Sequence, residues 1–488
     1  MKDNKVSRRT FLGTAATAIA GFTMIPNHAL GRVLGHIAPS DKLNIAVVGI
    51  GSKGSGSIRN VKLTENVVAL CDVDLKFAKP IFDATPEAKR YQDWRKMYDE
   101  MGKSIDAVVI ATADHSHAVI AAHAITLGKH VYCEKPLTHS VYESRLLTKL
   151  AAKHKVATQM GNSGSSGAGV RRTCDWMWNG EIGEVRRVDS WTDRPIWPQG
   201  LNKPQQGMWV PETLDWDVFI GPAQLVPYHE IYHPWNWRGW WNFGTGALGD
   251  MACHLMHPAF KALQLGYPTK VQGRSTLLLA DSAPTAQMVK YTFPARNIPG
   301  ISKVKFPEVE VTWYDGGLQP MLPPNWPKGK VLGEGGAIFY GTKDTMVCDR
   351  NPWLLSGRTP EAPKTQREIT VNHEMDWVRA CKESPENRVE TASNFNEAGP
   401  FNEMVVMGVL AVRLQGLNRI LEWDGANMQF TNIGDNDVIS HTLADDFKIV
   451  EGHPTFNSPK EKVNAKAFAQ ELIRHTYREG WSLPAMPV

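Results

Sequence analysis

No two cysteines in this sequence are spaced C-x-x-C. The six stand apart at positions 71, 133, 174, 253, 348 and 381, so neither a zinc ribbon nor a thioredoxin-type site is indicated. Cys71 and Cys133 fall in apolar runs and read as small core residues. Internal repeats and low-complexity segments are missing. Beyond the N-terminal leader no apolar run is long enough to cross a membrane. An excess of one charge is missing too. The formal charge is +4 over 488 residues, and Lys2, Lys5, Arg8 and Arg9 against Asp3 put +3 in the first 30, leaving +1 without them. So neutral a body has no field to attract nucleic acid or anionic lipid. The expected partner is a small molecule, with no nucleic acid and no stable membrane anchor.

What is present is a globular composition, 42% hydrophobic and 21% charged, in a chain too long for one compact core. Two domains with accessories are expected. Ser7-Arg8-Arg9-Thr10-Phe11-Leu12 precedes a mild apolar segment from Gly13 to Ile25. This looks like a twin-arginine export signal over 1–30, which carries folded proteins across the membrane. A periplasmic or otherwise exported location follows as an expectation. A dinucleotide carried out in the folded state would have to be retained, because no free pool is expected there.

The chain is organised around Leu43 to Asp72. Asn44 to Val48 is short, β-branched and bounded by glycine, as in a buried parallel strand. Gly49, Gly51 and Gly54 follow as G-x-G-x-x-G. Gly49 permits the tight turn, Gly51 lets a pyrophosphate approach, and Gly54 lets the next helix pack. The helix start offers N–H groups to phosphates, with Ser52 and Lys53 in the loop. Asp72 ends the second strand, where a carboxylate takes the adenosine ribose hydroxyls. A 2′-phosphate would meet repulsion from Asp72 and Asp74, with Lys53 a partial offset, so NAD, tightly bound, is expected over NADP.

Strands at 105–112, 130–133 and 156–160 alternate with helices, which predicts a doubly wound parallel (Rossmann) sheet over 42–160. From 161 to 425 the pattern changes. Strands are expected at 185–191, 271–279, 288–293, 309–314 and 337–340, and helices near 249–265, 372–382 and 396–417. The prediction is a mostly antiparallel α+β open-sheet domain, with proline-rich excursions at 195–211, 320–327 and 352–363. The tail, 426–488, is polar and expected to pack on the body.

Eight of 17 tryptophans lie between 191 and 241. Any single one suits a core or interface. As a group, with Trp197 and Trp237 and the interleaved Arg194, His233 and Arg238, they suit a sugar-binding cleft. Lys135 follows a strand at the carboxyl edge, where ligands of such sheets bind, and its ammonium can hold a substrate oxygen. Asp250 and His254 are four apart, on one face of a helix. His254 can take a hydroxyl proton while Asp250 orients the imidazole or accepts a substrate hydroxyl. His257, one turn on, is a weaker candidate. His115 and His117 lack a third ligand, so no metal is expected.

Gly49-Ile50-Gly51-Ser52-Lys53-Gly54, Cys71-Asp72, Ala111 to His117, Glu134-Lys135-Pro136 and Gly249 to His254 occur in that order. Over about 42–425 this resembles the Gfo/Idh/MocA oxidoreductases. The resemblance implies hydride transfer between nicotinamide and a hydroxyl of a sugar or glycoside. It assigns catalysis to Lys135, Asp250 and His254, and cofactor contacts to Thr112, His115, His117, Glu134, Lys135 and Asn162. It also implies a homo-oligomer through the open sheet. Redox-assisted glycoside cleavage, as in NAD-dependent α-N-acetylgalactosaminidases, is the alternative. That group carries a Tyr-Pro-Thr-His segment where this chain has Gly249-Asp250-Met251-Ala252, which lowers the alternative. A non-enzymatic sugar sensor ranks third.

Overall fold

The computed structural model describes residues 41–487. The expected export signal lies outside them.

Residues 44–160 build a six-stranded, wholly parallel sheet in the order β3-β2-β1-β4-β5-β6. Its strands are β1 (Asn44–Val48), β2 (Asn66–Cys71), β3 (Lys89–Tyr91), β4 (Ala107–Ile110), β5 (His130–Cys133) and β6 (Thr158–Met160). The helices between them are α1 (Lys53–Val61), α2 (Leu75–Asp83), α3 (Trp94–Met101), α4 (Asp114–Thr126) and α5 (Val141–His154). β1 and β4 are buried along almost their whole length, as strands covered on both faces must be. The strand order reverses between β1 and β4, which opens a crevice at the carboxyl ends of the strands. The expected Rossmann architecture is present.

After α6 (Ala168–Trp178), which the glycine- and serine-rich stretch before it concealed, comes the second domain. It contains β7 (Val185–Thr192), α7 (Trp216–Ile220), α8 (Gly246–Leu255) and α9 (His257–Ala262). Then follow β8 (Lys270–Ser275), β9 (Gln287–Phe293), β10 (Val309–Tyr314), β11 (Gly335–Gly341), β12 (Thr345–Cys348) and β13 (Pro352–Leu354). After α10 (His373–Cys381) and α11 (Phe395–Arg413), β14 (Leu421–Asp424) and β15 (Gln429–Phe430) complete a nine-stranded sheet in the order β13-β12-β11-β7-β10-β9-β8-β14-β15. It is antiparallel except for β7 beside β10.

The helix expected over 249–265 is two helices. Pro258 has no N–H to return to the His254 carbonyl, and the chain breaks at Met256. β8 ends at Ser275, earlier than expected, because the chain beyond it turns to the tail, where Leu279 bridges Thr442. The division at 160 is one of sequence and not of packing. α10 lays Trp377 and Val378 into the core of the parallel sheet, and the Trp377 indole donates to Ala157 O.

The tail forms two antiparallel pairs, β16 (Val438–Thr442) with β19 (Lys460–Asn464) and, as a hairpin between them in sequence, β17 (Asp446–Val450) with β18 (His453–Asn457), and then α12 (Ala465–Ile473). Its end lies against both domains. The Tyr477 hydroxyl donates to Glu143 Oε1 (2.6 Å), Arg478 Nε to Gly221 O (2.6 Å), and Trp481 packs on Trp94.

Candidate active site

A cleft of about 360 Å³ runs along the carboxyl ends of β1, β2, β4 and β5 and is roofed by residues 218–238. Its floor is the glycine loop. Gly49 has φ +79°, and a Cβ there would meet Ala111 O at 2.5 Å. A Cβ on Gly54 would meet Gly49 O at 1.9 Å, so only glycine lets α1 start so close to β1. No side chain caps the start of α1, so its first N–H groups remain for a ligand's phosphates. At Gly51 the Phe77 ring itself takes the space a Cβ would need. Asp72 accepts from Ile50 N (2.9 Å) and Asp74 N (3.1 Å), which aims its carboxylate into the cleft, and burial raises its pKa. The features a dinucleotide requires of this chain are therefore in place.

Lys53 turns away from Asp72. Its Nζ lies 3.7 Å from both Glu134 and Glu374, the latter brought in by α10. Glu374 was not visible as a site residue in the sequence, since its partner is more than 300 positions away. Asp74 is not a free charge either. It caps α2 through Lys76 N and Phe77 N and receives His233 Nε2 at 3.1 Å. Burial opposes its charge, but these donors outweigh that and lower its pKa.

At the other end of the cleft Lys135 Nζ donates to Asp250 Oδ1 (2.8 Å), with Asp250 O at 3.2 Å. Arg238 Nε reaches the same Oδ1 at 3.2 Å. Burial works against the Lys135 ammonium, and Asp250 outweighs it and lifts its pKa. Burial likewise opposes the Asp250 carboxylate, and Lys135 and Arg238 hold its pKa below the usual range. Asp250 thus anchors Lys135 and makes no hydrogen bond to the imidazole; accepting a substrate hydroxyl is the other of the two roles expected for it. His254 lines the cleft one helical turn on. Burial first, then Lys135, pushes its pKa down to about 3. Neither of its ring nitrogens has a hydrogen-bond partner among the described residues.

α8 is held at its first turn from across the domain boundary. Asp114 Oδ2 accepts from Thr245 N (3.1 Å) and Thr245 Oγ1 (2.7 Å), and burial raises the Asp114 pKa to about 7. The sequence shows an acid at the start of α4 but not a partner 131 residues away.

Other expected site residues are placed differently. His233 stands with Asp74 and Phe77 at the ribose end and not beside Lys135. Arg194 pairs with Asp193 and lies outside the cleft. Trp197 is buried, with its indole on Gln199 Oε1, and reaches the cleft only as one of three rings around Arg238. Trp235 and Trp237 are the others, at 4.1 and 4.3 Å, and both line the cleft. His117 is spent on backbone, with Nδ1 2.8 Å from Pro136 O and Nε2 3.1 Å from Thr112 O. It steadies the Lys135 loop and makes no wall of the cleft. His115 lies between Phe219 O and Phe243 O but does line the cleft, as do Thr112 and Glu134. Asn162 donates to Cys253 O while its neighbours Gly161 and Ser163 face the cleft. His257 is buried on Glu397 (2.7 Å), tying α9 to α11. No cluster of three or more metal-binding side chains occurs among the described residues.

Comparison with known proteins places this geometry. Residues 43–162 match the oxidoreductase family GFO_IDH_MocA, described as an NAD-binding Rossmann fold, and residues 185–294 match that family's C-terminal alpha/beta domain. Inositol 2-dehydrogenase of Salmonella paratyphi B is 30% identical over 151 residues, 30% of this chain and 44% of that protein. A glycosyl hydrolase family 109 protein of Shewanella pealeana is 25% identical over 203 residues, 37% of this chain and 44% of that protein. The chain thus spans less than half the length of these relatives. The WlbA dehydrogenase of Bordetella pertussis, solved with NADH and UDP-GlcNAcA, shares the fold. Its TM-score is 0.54 at 16% identity, over 78% of this chain and 99% of that one.

Proposed function

We propose that the chain, whose residues 43–162 and 185–294 match the two domains of the Gfo/Idh/MocA oxidoreductases, belongs to that family and transfers a hydride between NAD(H) and a hydroxyl-bearing carbon of a sugar or glycoside. The observation that carries this is the pairing of Lys135 with Asp250, 2.8 Å apart, beside an unpartnered His254 in the cleft that begins at the glycine loop. Gly49, Gly51, the α1 start and Asp72 would hold the dinucleotide, whose nicotinamide supplies the hydride acceptor or donor. Lys135, fixed by Asp250, donates to the substrate oxygen and steadies the negative charge that grows on it. His254 is neutral at pH 7 and accepts the hydroxyl proton. Protonating a ring beside an ammonium is costly, and the cost falls once Lys135 shares its charge with the alkoxide oxygen. Trp235 and Trp237, held around Arg238, offer apolar faces to a sugar ring.

NAD over NADP is supported by Asp72 in the cleft and by Lys53, whose two glutamates keep it from a 2′-phosphate. Tight retention is supported by His233, which lines the cleft and holds Asp74, itself in a segment braced by 213–215. Leu75 N donates to Thr213 O (2.9 Å) and Asp215 N to Val73 O (2.9 Å), and His233 closes on Asp74. Export by a twin-arginine signal and assembly through the open sheet complete the proposal. Processing of a tagged precursor in cells with and without that pathway tests the first. Light scattering tests the second.

The family 109 relative favours one further reading, in which transient oxidation leads to loss of the aglycone. Incubation with a glycoside panel separates the two, since ketoglycoside supports the dehydrogenase and free aglycone the alternative. Lys135→Met and His254→Gln should each lower kcat/KM about 10²–10⁴-fold while NAD affinity stays within a few-fold. Near-normal turnover in either would remove its assigned role. Titration of stripped protein should favour NAD over NADP, with the preference reduced in Asp72→Ser.

A further inference from the structure

α11 ends in an arginine that the chain itself leaves without a counter-charge. Arg413 lies between the rings of Trp241 (5.1 Å) and Phe468 (5.0 Å) and has no hydrogen bond or ion pair among the described residues. The acids whose charge it feels are engaged elsewhere, Asp281 with Lys203 and Glu471 with Thr476. Burial pushes its pKa down to about 10. Arg296, also depressed by burial, lacks a carboxylate too but donates to Leu263 O and Pro294 O, and other sheltered arginines are paired with acids. Arg145 is bidentate on Glu403 (2.7 and 2.8 Å), and Arg478 lies 2.7 Å from Asp217. A sheltered guanidinium with only rings around it bears a desolvation cost that an anion would relieve.

Arg413 stands in the wall of two sizeable cavities and of a third of only about 10 Å³. One, of about 200 Å³, is also lined by Glu143 and Glu471, which disfavour an anion. The other, of about 190 Å³, has no acid in its lining. There Arg413 and Trp241 face Leu277 to Ala280, the tail residues Ile439 to Thr442, and Phe468 of α12. The Trp241 indole N–H is buried and has no acceptor, so a second donor in this wall is unsatisfied. None of these residues lines the catalytic cleft.

We infer that this cavity is a second ligand site, for a small oxyanion seated on the Arg413 guanidinium. A carboxylate or a phosphate matches the two-pronged donor face of arginine. The room suits inorganic phosphate or a short aliphatic carboxylate, whose chain would lie against Leu277, Leu279 and Ile439. The occupant would tie the end of α11 to β16 and the loop after β8, which already bridge each other through Leu279, Ala280 and Thr442. The site stands whether or not the hydride-transfer reading holds.

The test uses the full mature chain at constant ionic strength. Unfolding temperature and calorimetric binding are followed against inorganic phosphate, butyrate and chloride. Saturable stabilisation by phosphate or butyrate beyond chloride is expected, and the stronger arm identifies the anion class. Arg413→Gln should weaken that binding by about tenfold or more, with Arg413→Lys in between. Glyoxal labelling of the unmutated protein, read at Arg413 by peptide mass spectrometry, should be slowed by the same anion, which settles the matter even if Arg413→Gln does not fold. Labelling unaffected by either anion, absence of saturation above chloride, or equal binding by a folded Arg413→Gln would each mean a cavity filled by water only.

Discussion

Lys135 can hold a substrate oxygen only if something other than substrate fixes its charge, and Asp250 does so. The same ammonium, after burial, depresses the protonation of His254. Burial and Lys135 both depress the imidazole, to about 3, whereas an unperturbed ring titrates near 6.5. The acid limb of kcat/KM should therefore lie below about pH 5 and not near 6.5. Lys135→Met removes a positive charge next to the ring, so the limb of its residual activity should move upward in pH. A limb near 6.5 in the unmutated protein, unmoved by Lys135→Met, would sink this account of His254. Lys135, Asp250 and His254 were legible in the sequence because each sits in a short local pattern, a strand end or one helix face. Asp114, Glu374 and Arg413 were not, because what defines each lies in segments distant along the chain. His233 and Arg194 were misplaced for the same reason: proximity to tryptophans in sequence says nothing of which end of a cleft a loop reaches.

At the scale of elements, the parallel sheet was readable because its strands are covered on both faces and so carry unbroken apolar runs. Short edge strands such as β13 and β15 carry no such signal, and the tail hairpins β17 and β18 are exposed throughout. The break between α8 and α9 was signalled by Pro258, but the apolar period runs across it. The closure at the ribose end, His233 on an Asp74 braced by 213–215, could not be read at all, since an isolated bridge between Asp74 and Leu214 leaves no periodic trace. It makes a kinetic prediction. His233→Ala removes one hydrogen bond to a carboxylate from that closure and should speed NAD release by about tenfold, with little change in the rate of hydride transfer once NAD is bound. Stopped-flow displacement of bound NADH measures this directly. An unchanged release rate would mean that the His233–Asp74 closure is not what holds the dinucleotide.

Across the whole molecule, buried titratable groups are unevenly distributed, and this sets its response to acid. Burial pushes His115, His117 and His130 down to about 4 and His254 to about 3. His139 is also depressed, by burial. In the unfolded chain these rings take protons near pH 6.5, while in the folded state they do not until about 4 or below. Between those values the unfolded state binds more protons, so this contribution to stability is present above about 6.5 and is lost as pH falls toward 4. Asp114 and Asp315 act the other way. Burial raises both to about 7, so from there down to about 4 the folded state binds more protons and acid favours it. Burial also raises Asp72, Glu134 and Glu403 and depresses His123, His373, His441 and His475, so the histidines outnumber the carboxyls, and the net expectation is a loss of stability on acidification from about 6.5 to 4. It should not be uniform. The parallel-sheet domain carries His115, His117, His123, His130, His139 and, from α10, His373 against Asp72, Asp114 and Glu134, whereas Asp315 bonds Trp313 and Gln287 within the second sheet. Acid should therefore loosen the nucleotide-binding half first and release NAD before the nine-stranded sheet opens. Urea unfolding at pH 7.5, 6 and 5, read by hydrogen exchange in each sheet and by bound NAD, checks this. A urea midpoint that is flat or rises on acidification, or exchange that begins in the second sheet, would show that the carboxyls and not the histidines dominate.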